Sequence, residues 1–336
     1  MAVIAADLGG TKLAIALFDP VNGPQHKAAV PLDGRTGNAV GEKIRQECSR
    51  LLEIAAKQEL RVDAIGIGVP GIFRPDTGAV WAPNIPGWEQ YPLKQELSDL
   101  TGGKVPVCIE SDRSCCILGE VWQGAAKGCR NAVFLTIGTG IGAGVIADGR
   151  VLRGARDIAG AIGWLALCRP FNPKYAPIGC FEYHASGDGI SRMATERIAA
   201  DAGYVGLVSG RNVRAQDVFQ AYGSGDPIAC SVLTDCVELW GMAAANLVSI
   251  LNPEVLIFGG GVFGPAVQFL EAIRNEAEKW AQPIAFKHVR FEISVLGGEA
   301  ALYGAAFAAI QSLSIDRPGK ESLGNNQPVV DFKEQP

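Results

Sequence analysis

The sequence contains no basic block, no Cys-x-x-Cys pair and no Gly-x-x-x-x-Gly-Lys-Ser/Thr segment. It also has no charge-free apolar run approaching the roughly 18 residues of a membrane span. Each absence removes a class of function. With a net charge of −5 and no Lys/Arg cluster, the chain lacks the electrostatic footprint of a nucleic-acid partner. Any phosphate it binds must be held locally, by backbone amides, a few cations and a metal. The missing Gly-Lys-Ser/Thr segment rules out a P-loop. The nine cysteines are odd in number, and Cys115 and Cys116 are adjacent, so they read as buried thiols in a reducing compartment. The opening stretch Val3-Ile4-Ala5-Ala6 is strand-like and lacks a secretory leader's basic start and apolar region. The expected location is therefore cytoplasmic, without a membrane partner.

The 336 residues are 48% hydrophobic and 19% charged, enough for two well-packed domains. Short apolar runs alternate with longer segments of helical period, which predicts an α/β protein. Helices are expected over 38–58, 91–101, 113–125, 188–202, 226–250, 265–281 and 298–313. The polar stretch 315–336, with scattered Pro, Gly and Asn, reads as a flexible tail.

The 42 glycines are clustered, and two clusters echo each other. Asp7-Leu8-Gly9-Gly10-Thr11-Lys12 leads into an apolar run ending at Asp19. Ile137-Gly138-Thr139-Gly140-Ile141 leads into one ending at Asp148, and the separations Gly9 to Asp19 and Gly138 to Asp148 are equal. Both predict a hairpin with a small-residue tip. A second echo pairs Ile65 to Gly71 with Val255 to Gly261, each a strand running into a glycine turn after a helix. Two related halves facing each other across a cleft would explain both echoes.

Glycine lets backbone N–H groups approach an anion that a side chain would keep away, and threonine adds a hydroxyl donor. Gly9, Gly10, Thr11 and Lys12 offer amides, a hydroxyl and an ammonium. Gly138, Thr139 and Gly140 offer amides and a hydroxyl. Asp7, at a strand end, is positioned to hold Mg²⁺ through water. Either turn alone is equally an ordinary tight hairpin; the matched pair favours phosphate binding. Gly259-Gly260-Gly261-Val262-Phe263-Gly264 fits the dinucleotide pattern Gly-x-Gly-x-x-Gly. The acids about 20 residues on, Glu276 and Glu278, fall inside a predicted helix rather than at the end of the next strand. A glycine turn against an adenosine fits better.

The ordered set Asp7 to Lys12, Val69-Pro70-Gly71, Pro83 to Trp88, Leu135 to Gly144, Gly179 to Gly187 and Asn252 to Val262 resembles the ROK sugar kinases over about residues 3–310. The resemblance implies an actin-like ATPase (ribonuclease H-like) fold of duplicated origin, with two α/β domains and a cleft between them. These are expected over 1–118 and 119–297, with the helix near 298–313 packing back on the first. It implies ATP with Mg²⁺, a sugar substrate, and a homodimer or homotetramer. In the stretch Val107 to Arg113 it makes Asp112 the general base, although a helix cap is the blander reading of that residue. Ser111 stands where the family usually has Asn. Gly71, Asn84, Ser111, Asp112 and Glu182 are the implied sugar contacts.

The chain also departs from the family. Where a Glu-x-Gly-His motif is usual, it has Ala161-Ile162-Gly163-Trp164. The family's zinc-binding cysteine cluster is reduced to Cys168 and Cys180. Two thiols cannot close a tetrahedral site, so no zinc is expected, and His184 reads as a surface or packed residue rather than a ligand. Trp164 is equally a flat face for a sugar ring or a core filler. Losing a carboxylate and an imidazole near the anomeric carbon predicts a substrate other than glucose, or a modified hexose. The competing function is a kinase-like protein that binds sugar without turnover. A DNA-binding repressor of the same superfamily is disfavoured, because only six residues precede Asp7.

Overall fold

The computed structural model describes residues 1–208 and 212–315; the tail expected beyond the last helix lies outside the described residues. The chain forms two compact units, one comprising 1–130, 148–159 and the C-terminal segment from Glu299, the other comprising 131–147 and 160–298.

The first unit is built on strands β1 (Ala2–Leu8), β2 (Lys12–Asp19), β3 (Gly23–Pro31), β4 (Val62–Val69) and β7 (Val107–Ser111), in the sheet order β3-β2-β1-β4-β7. A small ribbon joins β5 (Ile72–Arg74) to β6 (Ala79–Trp81), and β10 (Arg150–Val151) completes the unit's strands. β1 is apolar and buried nearly throughout, as its central place between β2 and β4 requires. β3 carries Pro24 and Pro31 and is largely exposed, which only an edge strand tolerates. Helix α1 (Asn38–Lys57) buries Val40, Ile44, Cys48, Leu51 and Ala55, the single stripe that a 3.6-residue period predicts. Helices α2 (Leu93–Leu100), α3 (Asp112–Gln123) and α10 (Ala300–Ile315) complete the unit. α10 packs against α3, β1 and β4. The approach is close because it is glycine-lined: a Cβ on Gly119 would collide with the Ala300 carbonyl, and one on Gly304 with that of Cys115.

In the second unit, β8 (Ala132–Ile137), β9 (Ile141–Ala147), β11 (Val255–Gly259) and β12 (Arg290–Ile293) lie in the order β9-β8-β11-β12. The helices are α4 (Cys180–Ala185), α5 (Gly187–Ala200), α6 (Ala215–Gly223), α7 (Pro227–Leu251), α8 (Leu270–Glu278) and α9 (Pro283–Phe286). α7 starts where Asp226 accepts from the amides of Ile228 and Ala229, both at 3.0 Å, and stops at left-handed Asn252. It is long and apolar enough to cross a membrane, but most of it is buried in this unit's core around Val232, Leu239 and Trp240.

The two sequence echoes are thus echoes of topology. In each sheet an antiparallel hairpin (β1–β2, β8–β9) is followed by a parallel neighbour of its first strand (β4, β11). The expected helices all form, some shorter: 265–281 divides into a 3₁₀ turn, Pro265–Phe269, and α8. α6 has no counterpart among the expected helices. Its start depends on Asp217 accepting from both the amide and the guanidinium of Arg214, and the helix is only nine residues long.

Candidate active site

In the first unit, β1, β4 and β7 run parallel, so their carboxyl ends come together. This is the edge at which open α/β sheets bind ligands. Asp7 stands one residue before the end of β1, beside Gly68 of β4. A Cβ at Gly68 would meet Cys115 Sγ at 3.2 Å and Asp7 Oδ1 at 3.6 Å, so the glycine leaves room for the Asp7 carboxylate next to α3. The tip Gly9-Gly10-Thr11, exposed at Gly10 and Thr11, is closed by the Gly9 amide donating to the Lys12 carbonyl at 2.9 Å. Lys12 is also exposed.

β7 ends at Ser111 and α3 begins at Asp112. Ser111, not Asp112, is the helix cap: its hydroxyl accepts from the Ser114 amide at 3.2 Å and donates to Ser114 Oγ at 2.9 Å. Asp112 accepts from the Arg113 amide at 2.7 Å. Burial pushes the Asp112 carboxyl above its ordinary pKa, against the pull of the neighbouring Arg113 charge and amide. Asp7 is raised from 3.8 to about 7, first by burial and then by the charge of Asp112, with Lys12 opposing. A buried carboxyl whose ionisation a neighbouring carboxylate disfavours suits a cation, and Asp7 is the residue that would hold Mg²⁺. Gly71 lies two residues after β4, packed so that a Cβ would strike the backbone of Trp81 and Ala82. Asn84 is exposed in the turn closed by Ile85 donating to Ala82.

In the second unit the Gly138-Thr139-Gly140 tip is closed by the Gly138 amide donating to the Gly140 carbonyl at 2.9 Å, and the Gly187 amide donates to the Gly138 carbonyl at 2.7 Å. Gly260 packs against Ile137 with φ of 89°, and the Gly261 amide lies 3.9 Å from where a Gly138 Cβ would stand. The structure therefore gathers both glycine turns and the start of α5 into one amide-rich corner. Glu182, on α4, accepts from the Ile141 amide at 2.6 Å, which ties it to the same hairpin. Burial raises its pKa despite that bond. Trp164 is 55% exposed, which removes the core-filling alternative.

Cys168, Cys180 and His184 bring their donor atoms within 4.8 Å of one another. Cys180 and His184 are four residues apart on α4 and share a face; spacing alone did not reveal that Cys168 joins them. The imidazole already has neighbours, Tyr175 Oη at 3.0 Å on Nε2 and Met193 Sδ at 3.2 Å on Nδ1. Three donors with an engaged imidazole do not make the four-ligand set of a closed structural zinc site.

The sequence reading also missed a charged network beside Asp112. Arg153 donates from both terminal nitrogens to the Glu110 carboxylate, one bond measuring 2.8 Å, and its Nη1 stands 3.6 Å from Asp157. Nothing in the spacing links position 110 to position 153.

The ROK family model matches residues 3–312. The chain belongs to the ROK family. This ROK chain is 32% identical over 333 residues, 95% of it and 98% of the relative, to a glucokinase of Halalkalibacterium halodurans. It is 28% identical to a ROK family glucokinase of Streptomyces griseus solved with glucose and AMPPNP, with a TM-score of 0.73, covering 93% of this chain and all of that one. The fold is accordingly that of the actin-like ATPases. The relatives also include a xylose repressor of Caldicellulosiruptor bescii, 28% identical over 258 residues, 74% of this chain and 63% of the repressor.

Proposed function

We propose that this chain is an ATP-dependent carbohydrate kinase in which Asp112 is the general base. The observation that carries the reading is the placement of Asp112 and Asp7 together at the carboxyl ends of β7 and β1, beside the Gly9–Lys12 turn. Phosphoryl transfer to an alcohol needs positioning, charge neutralisation and a carboxylate to take the hydroxyl proton. In this reading Asp112 accepts the proton as the sugar oxygen bonds to the γ-phosphorus and the bond to ADP breaks. Asp7 would hold Mg²⁺ through water, and the bound ion would supply neutralising charge. Gly9, Gly10, Thr11, Lys12, Gly138, Thr139 and Gly140 are the proposed donors to the phosphates. Gly259, Gly260 and Gly261 offer a side-chain-free surface to the adenosine.

Gly71, Asn84, Ser111, Asp112 and Glu182 are the proposed sugar contacts. Ala161 and Trp164 take the places of a carboxylate and an imidazole, so the preferred substrate is a hexose other than glucose, or a modified one. The protein acts in the cytoplasm as a homodimer or homotetramer. Those same two replacements favour the second reading, a sugar-binding protein without turnover. ADP release over a broad sugar panel, with Asp112→Asn as the control, separates the two. Sugar-dependent ADP release abolished in the variant supports the kinase, whereas sugar binding without ADP release at any concentration contradicts it.

A further inference from the structure

Beside Asp112, within the first unit, the side chains of Glu110, Ser111, Ser114, Arg153 and Asp157 line a pocket closed on its apolar side by Ile72 and Phe73. Its charges are arranged unevenly. The Arg153 guanidinium is committed to Glu110 by a two-bond fork, with both side chains largely buried. Burial opposes the charge on Arg153, but its bonds to Glu110 outweigh this and raise its pKa. Asp157 differs: among the described residues its Oδ1 is buried yet accepts no hydrogen bond, and Arg153 Nη1 stands 3.6 Å away. A buried carboxylate oxygen without a donor is rare in folded proteins and calls for an explanation.

The local backbone holds Asp157 in place. The loop 153–159 is closed by the Ala159 amide donating to the Arg153 carbonyl at 3.0 Å. Gly154 and Asp157 both take left-handed φ, 71° and 56°. Aspartate is among the non-glycine residues that adopt this conformation most readily.

An ionised carboxylate only accepts hydrogen bonds, so the missing partner is a donor. Within the pocket, one cation against two carboxylates leaves a net negative charge, with Arg153 already paired. We infer that Asp157 is a specificity-determining residue that accepts a hydrogen bond from a substrate hydroxyl or amine, and that the pocket selects neutral or amino sugars against sugars bearing a carboxylate. The inference rests on the kinase reading for its substrate class, but its test does not depend on phosphoryl transfer.

Binding of glucose, mannose, fructose, glucosamine and glucuronate is measured by calorimetry without nucleotide, and KM and kcat by ADP release. The variants are Asp157→Asn, which loses the negative charge and with it the charge-assisted bond, and Asp157→Glu, which retains the charged carboxylate, with melting temperatures recorded for both. The expected result is that glucuronate binds at least about 10-fold more weakly than the best neutral or amino sugar. Asp157→Asn should raise the Kd and KM of that best sugar about 10-fold while leaving kcat within about 2-fold, and should narrow the gap to glucuronate. Asp157→Glu should recover part of the loss. If Asp157→Asn fails to fold, the wild-type discrimination against glucuronate and the Asp157→Glu affinities decide. Equal affinity for glucuronate, unchanged affinity in a folded Asp157→Asn, or no sugar binding at all overturns the inference. Asp157-dependent binding without ADP release would sink the kinase reading and leave this one standing. ADP release indifferent to Asp157 would do the reverse.

Discussion

The negative charge of Asp112 raises the proton affinity of Asp7, whose pKa burial and that charge together bring to about 7. The two residues lie far apart in the chain, and it is the parallel pairing of β1 with β4 and of β4 with β7 that brings their strand ends together. Such a pair weakens the empty protein and suits it to a cation.

This relationship has a measurable cost. A carboxyl whose folded pKa is raised binds its proton more tightly in the folded state than in the unfolded one. Stability therefore falls as pH rises from the ordinary 3.8 towards about 7, and levels off above that. Replacing Asp7 by Asn removes the charge. The nucleotide-free variant should be more stable than wild type at pH 8, by roughly 1–3 kcal/mol, with the advantage vanishing near pH 4. Thermal melts at the two pH values check this; an equal gain at both would contradict it. Activity should be lost in the same variant.

Asp112→Asn should lower kcat by roughly 10²–10⁴ with a small change in sugar KM. In the wild type, kcat/KM should fall on acidification through a pKa above the usual carboxylate range, because burial raises the Asp112 carboxyl. An ordinary carboxylate pKa in the pH–rate profile would assign the proton transfer elsewhere.

Ser111→Ala removes the acceptor for the Ser114 amide and should cost about 1 kcal/mol, read as a melting temperature lowered by a few degrees. Ser111→Asn, which restores both a capping group and the residue usual in the family, should recover it. If Ser111→Ala leaves the melt unchanged, the start of α3 is held by something else.

Gly140→Ala places a Cβ 2.9 Å from Glu182 Oε2 and 3.2 Å from its Cδ. Glu182 must then shift and loosen its 2.6 Å bond to the Ile141 amide. Lower stability and weaker binding of a non-hydrolysable ATP analogue should follow together, by calorimetry and thermal melts. Unchanged nucleotide affinity in a destabilised variant would separate this corner from the phosphates.

Chelation should leave the melting temperature of the purified protein unchanged, with zinc well below one equivalent by elemental analysis. Burial and neighbouring Cys180 push the Cys168 thiol up to about 11, so a metal would first have to displace its proton. Stoichiometric zinc, lost on chelation with a drop in stability, would show that three donors suffice.

The amino-acid sequence by itself determined the two hairpins with their Gly/Thr tips, the strands running into Gly71 and Gly259, and the stripe of α1. These are short-range properties: glycine at a turn and a repeating apolar period act within a few residues. Asp112 was legible as a strand-end acid before a helix, but the structure gave the capping role to Ser111, one residue earlier. Tertiary structure alone decided the fork between Glu110 and Arg153, the approach of Cys168 to Cys180 and His184, and the coupling of Asp7 to Asp112. Those pairs are set by sheet register and helix packing over long stretches of chain. Burial, which moves their proton affinities, exists only once the chain has closed around them.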